Sequence, residues 1–489
     1  MQLTGRAVLG ALVLLVALGA LGVAVATWST DRSAQPPESP KAVSADHSGY
    51  SELLKAVTPK GILEHERRFQ AIAEAHGNTR AAGTPGYRES REYVAKRLRR
   101  AGYGVRVQSF KFPFFRVLAP LEMARVSPDP HAYELRKDFA PMQYSGSGEV
   151  TAELEPVDIS PSPGGEPGPS TSGCEEPDFT GFDEGDVAFL QRGTCTFEEK
   201  AKNAEAAGAS AALIFNNVEE NKTETIRGTL GKPGVTIPVL GTSFAVGKDL
   251  IRMTQGGNVT IRVFASTVSE TRKASNVIAD TEEGREDQTV VVGAHLDSVA
   301  EGPGINDNGS GSATVLEIAE KMAELGIEPR NRVRFAFWGA EELGLFGSKY
   351  YVAQLDERQL GDLAVYLNFD MVASPNYVRF IYGSGEVREI FENFFGSRDL
   401  KVETVDLKGG SDHGPFAAEG VPVGGLYSGA EGRKTGEQAE VYGGEAGVAY
   451  DGCYHEACDD VGNLSTKALE QLSDGAAYAT YVFAKEERR

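Results

Sequence analysis

The chain has 489 residues, 41% of them apolar and 24% charged, the balance of a globular protein with room for two or three domains and a large core. Its 49 Lys and Arg stand against 70 Asp and Glu, so the formal net charge is −21. That excess argues against a nucleic-acid partner, and solubility in water accounts for it.

Residues 1–28 differ from everything after them. Arg6 is followed by the uncharged run AVLGALVLLVALGALGVAVA, and an A-x-A pattern ends at Ala26. This reads as a signal peptide; the rival is an uncleaved membrane anchor, because about 20 apolar residues can span a bilayer. On either reading the rest of the chain faces outward, secreted or held at the outer face of the cell membrane. Residues 29–50, rich in Ser, Pro and Ala, read as a flexible linker.

Residues 51–145 open the main domain. HERRFQAIAEAHG and TPGYRESREYVAKRLRRAGY carry helical patterns. Thr84-Pro85 suits a helix start, and Gly102 or Gly104 a helix stop. Residues 105–140, VRVQSFKF among them, alternate as strands do. The texture changes at 146, where Gly, Pro and Ser become dense. DVAFLQRGTCTFEEKAKNAEAAGASAALIFNN then reads as strand, turn, helix and strand, with VTIPVLGTS and VTIRVFAST as further short strands. Residues 146–268 are therefore expected to form a smaller inserted α+β domain.

Residues 269–489 return to the main domain. SNVIADTE, TVVVGAHLD, RVRFAFWGA, LAVYLNFDM and VPVGGLYSG read as strands. The segments between them, such as SGSATVLEIAEKMAELG, read as helices, and STKALEQLSDGAAYATYVFAKEE closes the chain. This alternation predicts an α/β fold, with a mostly parallel central sheet flanked by helices. Ligands of such sheets gather beyond the carboxyl ends of the strands.

That rule selects a set of residues. TVVVGAHLD ends in His295 and Asp297, FAFWGAEE in Glu341 and Glu342, and AVYLNFD in Asp370. The loop GPGINDNGSG carries Asp307, and CYHEACDD carries His455. Taken singly, a strand-end H-x-D is weak, and a Glu-Glu pair or an Asp after a strand often only caps a helix. Together, two imidazoles and three carboxylates suit two zinc ions. Asp307 is assigned as the bridge, with His295 and Asp370 on one ion and Glu342 and His455 on the other. Asp297 is expected to hold the His295 ring through its second nitrogen. Glu341 is left as general acid/base for a metal-activated water.

Four cysteines allow three pairings. The local pairs Cys174–Cys195 and Cys453–Cys458 are expected in an oxidising compartment. A zinc site built from all four is the alternative, although no C-x2-C spacing occurs.

H-L-D-S-V, G-I-N-D-N-G-S-G, W-G-A-E-E-L-G-L-F-G-S, L-N-F-D-M and Y-H with flanking cysteines, in that order, resemble the secreted two-zinc aminopeptidases of the aminopeptidase S and aminopeptidase Y type. N-T-R-A-A-G-T-P-G-Y also looks like that family. The inserted segment, with R-G-T-C-T-F-E-E-K, resembles a protease-associated domain. The resemblance implies the zinc exopeptidase fold, two Zn2+ ions per chain, and release of N-terminal residues from peptides or proteins. It supports the same five ligands and Glu341, and adds Tyr454 as a group holding the developing oxyanion, on a loop clamped by Cys453–Cys458. Met371, Tyr427 and Phe416 would line the substrate pocket, which implies a preference for large apolar residues. Ser411 to Phe416 would be pocket wall, and His413 would not be a ligand. One departure stands out: relatives place an Arg just before S-D-H, where this chain has Gly409-Gly410.

A carboxypeptidase or dipeptidase on the same fold is the other enzymatic reading, but no Arg-rich loop adjoins these motifs. A binding module that has lost its metal is the third, and here all the ligands are present. The chain is expected to act as a monomer, and on a membrane only if the leader is retained. N-x-S/T triplets start at Asn221, Asn258, Asn308 and Asn463; the one at Asn308 reads as accidental, because a glycan beside Asp307 would block the site.

Overall fold

Where the parallel sheet was expected, four strands lie side by side in the order Val423–Tyr427, Leu363–Phe369, Arg285–His295 and Asn331–Trp338, all parallel. This is a computed structural model, and it describes residues 47–159, 170–217, 223–383 and 385–487. The leader, all of the expected linker before residue 47, and Asn221 lie outside the described residues. No helix among those described is long and apolar enough to cross a membrane.

The strands are apolar on both faces because helices cover both. Val290, Val292 and Ala294 point into a core shared with the helices Pro59–Ala75, Gly311–Glu324 and Thr466–Lys485. Val291 points the other way, toward Tyr351 and Phe416 from the short helices Phe346–Ala353 and His413–Ala418. The period of two within one apolar run thus feeds two cores. Two more strands were not read from the sequence: Phe380–Gly383 pairs antiparallel with Val423–Tyr427, and Glu403–Thr404 closes that edge.

The third helix of the main domain starts as its sequence suggests. Thr84 Oγ1 accepts from the Tyr87 amide, Pro85 opens the helix Pro85–Arg100, and Gly102 follows it at φ +98°. The end of the expected linker differs: residues 47–50 belong to the helix His47–Ala56. Tyr50 explains it, packing edge-on against Tyr478 and Tyr481 of the closing helix.

The largest departure is a long ribbon. Gly104–Ser127 and Thr260–Asp280 pair antiparallel from Gly104↔Asp280 to Ser127↔Thr260. Thr260–Asp280 is the common spine, bonded to Asn331–Trp338 at its carboxyl end and to Gly148–Pro156 at its amino end. The expected boundary at 268/269 therefore falls inside a strand. Beyond the ribbon lie four more parallel strands: Gly148–Pro156, Val187–Gln191, Ala211–Phe215 and Val239–Thr242. Helices Phe197–Ala206 and Phe244–Thr254 cover their opposite faces. Disulfides join Cys174 to Cys195 and Cys453 to Cys458, the two local pairs.

Candidate metal centre

Parallel register brings separate strand ends to one rim. Trp338 pairs with His295, and Asn368 with Gly293, so His295, Asp370 and the Glu341-Glu342 pair all emerge at one level. Left-handed backbone at three non-glycine residues turns the chain beside them: Ala340 (φ +59°), Met371 (φ +54°) and His455 (φ +59°). Such conformations cost on the order of 1 kcal/mol each and persist only where the surroundings enforce them.

Asp307 stands between the two imidazoles. Its Oδ1 lies 3.3 Å from His295 Nε2, and its Oδ2 lies 3.2 Å from His455 Nε2. Asp370 Oδ1 is also 3.3 Å from His295 Nε2, and Glu342 Oε2 is 3.1 Å from His455 Nε2. Glu341 Oε2 stands further back, 4.0 Å from His295 Nε2. Ligand atoms of His295, Asp307 and Glu342, and of His295, Glu341 and Asp370, form two overlapping groups, each within 4.8 Å.

These groups crowd negative charge into a buried place. Burial pushes the Glu342 carboxyl up, and Asp307 pushes it further. Burial likewise raises Glu341 well above the carboxylate range, with Asp412, Asp370 and Glu342 adding to it. Burial would depress His295, but Asp370 and Glu341 reverse that and hold it well above its ordinary value. Burial works against His455 too, yet hydrogen bonds to Asp307 and Glu342 lift it to about 10. In the protein alone, protons must take the place of cations. Glu342 Oε1 is buried with no hydrogen-bond partner. A buried carboxylate oxygen without a donor is costly unless a cation meets it. The nitrogen and oxygen donors present fit a pair of divalent ions.

Around this cluster lies a cavity of about 450 Å3. Met371, Tyr427, Tyr454, Leu345, Leu407 and Glu431 are among the residues that line it. The Tyr454 ring stacks on His455 at 3.8 Å, and burial with the nearby carboxylates keeps its hydroxyl protonated.

Two expectations need correction. Phe416 is not pocket lining. It is fully buried and stacks on Tyr366 at 4.2 Å, because the helix His413–Ala418 turns it into the sheet core. Only Ser411, of the stretch 411–416 read as pocket wall, reaches the cavity, and its Oγ donates to Asp370 Oδ2 at 2.6 Å. The Asp297 carboxylate does not hold the His295 ring. The strand ends at His295, so Asp297 lies past its alternation. The ring Nδ1 faces the backbone carbonyl of Asp297 at 3.2 Å, while the carboxylate stands 3.8 Å away and accepts from the Glu341 amide.

Arg80, within N-T-R-A-A-G, was not singled out by the sequence reading, although the loop carrying Asp307 depends on it. It is fully buried, and its guanidinium donates to the carbonyls of Leu296, Pro303 and Gly304 at 2.5, 2.9 and 2.5 Å. Glu66, also fully buried, lies in the same interior; burial pushes its carboxyl well up, and the attraction of Arg80 works against that. Asp459 was missed too; its two oxygens accept from the Asn306 and Asp307 amides at 2.8 and 3.0 Å. Nothing local in N-T-R-A-A-G marks Arg80 as buried. Asn308 is buried, with its Oδ1 accepting from the Gly311 amide and its Nδ2 donating to the Phe369 carbonyl, so no glycan fits there.

Residues 276–480 match the model of peptidase family M28, and residues 150–250 match the PA domain. An aminopeptidase of Pseudomonas aeruginosa (strain UCBPP-PA14) is 41% identical over 445 residues, covering 88% of this chain and 81% of that protein. A probable leucine aminopeptidase 2 of Aspergillus fumigatus is 35% identical over 86% of this chain and 83% of that protein. Among solved structures, BSAP, a zinc aminopeptidase from Bacillus subtilis, superposes with a TM-score of 0.55 at 26% identity, covering 88% of this chain and 97% of that one.

Proposed function

We propose, from the premise that this chain belongs to peptidase family M28, that it is an exported two-zinc aminopeptidase releasing large apolar residues from peptide N-termini. One observation carries the reading: Asp307 presents one oxygen to each of two imidazoles, and each imidazole has a second carboxylate beside it. In this reading His295, Asp370 and Asp307 hold one zinc ion, and Glu342, His455 and Asp307 hold the other. When bound, the ions supply positive charge that polarises the scissile carbonyl and makes water more acidic.

The chain's own groups do the rest. Glu341 accepts a proton from the attacking water and returns it to the leaving amine. Its Oε2 lies 4.0 Å from His295 Nε2, at the edge of the proposed ligand cluster. The Tyr454 hydroxyl donates to the developing oxyanion, and its stack on His455 restricts the ring. Glu341 and Asp370 receive the substrate ammonium. Met371 and Tyr427 offer the apolar wall for its side chain. A relative named for leucine and another named for zinc support the substrate and the metal. No Lys or Arg is among the residues lining the cavity, which leaves a substrate carboxylate without a counter-ion and disfavours a carboxypeptidase.

We assign 51–145 and 269–489 to the peptidase and 146–268 to the protease-associated domain, and expect a monomer. Two disulfides suit an oxidising location outside the cytoplasm. A panel of aminoacyl-anilides, with zinc removed and restored, tests the activity. Leucine and methionine derivatives should be the best substrates, and N-acetylation should abolish cleavage. Equal cleavage of acetylated and free peptides would overturn the aminopeptidase assignment.

A further inference from the structure

Three helices of the peptidase meet at a second group of metal-ligating side chains, which shares no residue with the rim. His65 stands on Pro59–Ala75, Tyr93 and Arg97 on Pro85–Arg100, and Glu317 and Glu320 on Gly311–Glu324. Residues three or four apart share a helix face, so each pair points into the same junction. His65 Nε2 lies 3.4 Å from Glu317 Oε2 and 3.8 Å from Glu320 Oε2. One ligand atom from each of the three residues lies within 4.8 Å of the others.

The His65 side chain is 1% exposed, and its Nε2 is buried with no hydrogen-bond partner among the described residues. Such a nitrogen is costly to bury unless a cation or a donor meets it. The ring is held in place: its Nδ1 shares a hydrogen bond of 2.7 Å with the Tyr93 hydroxyl. The carboxylates are held as well. Arg97 donates Nε to one oxygen of Glu320 and Nη2 to the other. Glu317 packs against Gly61, where a Cβ would collide with Glu317 Oε1, so the helix forgoes a side chain there. A cavity of about 400 Å3, lined by Arg97, Glu320 and Glu324, opens the group to solvent on the Glu320 side.

We propose that His65, Glu317 and Glu320 bind one divalent metal ion of the Mn2+ or Zn2+ class. Donors about 2.0–2.2 Å from one ion stand roughly 3–3.6 Å apart. The His65–Glu317 separation fits that range, and a small inward turn brings Glu320 into it. One imidazole with two carboxylates suits these metals. In the site, His65 Nδ1–H donates to Tyr93, which leaves the Nε2 lone pair for the ion, and Arg97 orients Glu320. Water from the cavity completes the coordination. The charge of Arg97 loosens the hold, so this ion is lost on dialysis while the pair at the rim stays. The ion ties the helix of His65 to the helix that follows the Asp307 loop, so its role is structural and independent of peptide hydrolysis.

The test titrates the full zinc-loaded chain with Mn2+, which binds such donors less tightly than zinc and so leaves the rim's ions in place. Loss of the sharp paramagnetic-resonance signal of free Mn2+ counts the bound ion. One saturable equivalent is expected, with a rise in the thermal midpoint. His65→Gln and Glu317→Gln should each bind Mn2+ at least about tenfold more weakly, while hydrolysis of leucine anilide stays unchanged. Glu320→Gln, on the solvent side, carries the same expectation where a buried variant fails to fold. Asp183→Asn, in the exposed acidic group of Glu155, Asp183 and Asp186, should bind like wild type. A protonated His65 held between the two carboxylates would leave Mn2+ unbound. Absence of a saturable equivalent, full binding in Glu317→Gln or Glu320→Gln, or loss of binding in Asp183→Asn overturns the proposal.

Discussion

The two halves of the sheet offer a controlled contrast. Each has four adjacent parallel strands, helices on both faces and a rim where the strands end. On the peptidase side the strands deliver His295, the Glu341-Glu342 pair and Asp370. On the other side they deliver Gln191 and Arg192, Asn216 and Asn217, and Thr242 and Ser243. The backbone solution is alike, and the chemistry is not. Fold supplies a place where side chains converge, and a few residues just past each strand decide what that place does. The peptidase rim concentrates carboxylates that are costly without cations. The inserted rim holds amides, hydroxyls and guanidinium groups that need none.

The sharpest way to break this contrast is to take the cations away. Dialysis against a chelator should reduce peptide hydrolysis below detection and lower the midpoint of thermal unfolding, and zinc should restore both. Metal analysis alongside should find two ions per chain. Next in size, Glu341→Gln should lower kcat by at least about 10²-fold, with metal content unchanged. Near-normal turnover in that variant would sink the assignment of the base.

Stability should divide the halves differently. Arg80→Met leaves the buried carbonyls of Leu296, Pro303 and Gly304 without their donors and should cost about 3–5 kcal/mol in urea unfolding. In the inserted half, Leu213→Ala removes packing from a fully buried core residue and should cost about 2–5 kcal/mol, while the kcat of the folded enzyme stays the same.

The smallest effect concerns pH. Burial lowers Lys200 to about 8 in the folded protein, against 10.5 as its ordinary value. Below about pH 8 both states carry the proton, and folding bears the full cost of burying the charge. Between about pH 8 and 10.5 only the unfolded chain keeps its proton, so stability should rise through that window. Lys200→Met should remove this rise, read as a thermal midpoint that no longer climbs relative to wild type.

The peptidase rim was legible because its polar residues follow apolar runs of strand length, and the parallel-sheet rule places such ends together. His295, Glu341, Glu342 and Asp370 needed little more. Asp307 and His455 sit in loops that follow those strands, and they were joined to the set by their donor chemistry rather than by periodicity. Arg80 was not legible, since the carbonyls it holds lie 216 to 224 residues away in sequence. Phe416 misled because a short helix after S-D-H gives no periodic signal for which way an aromatic points. The spine strand Thr260–Asp280 was broken into pieces because its middle, S-E-T-R-K, reads as a polar loop; those residues are the partly or fully exposed part of the two-stranded ribbon.

The sequence by itself determined the alternation of strands and helices and the chemistry of the donors, because these rest on local periodicity and on the kinds of side chain present. Only the tertiary structure decided that one long strand joins both halves, that Asp307 faces two imidazoles at once, and that Arg80 and Asp459 hold its loop. Those are contacts between residues far apart in the chain, and their cost and gain exist only once the chain has folded around them.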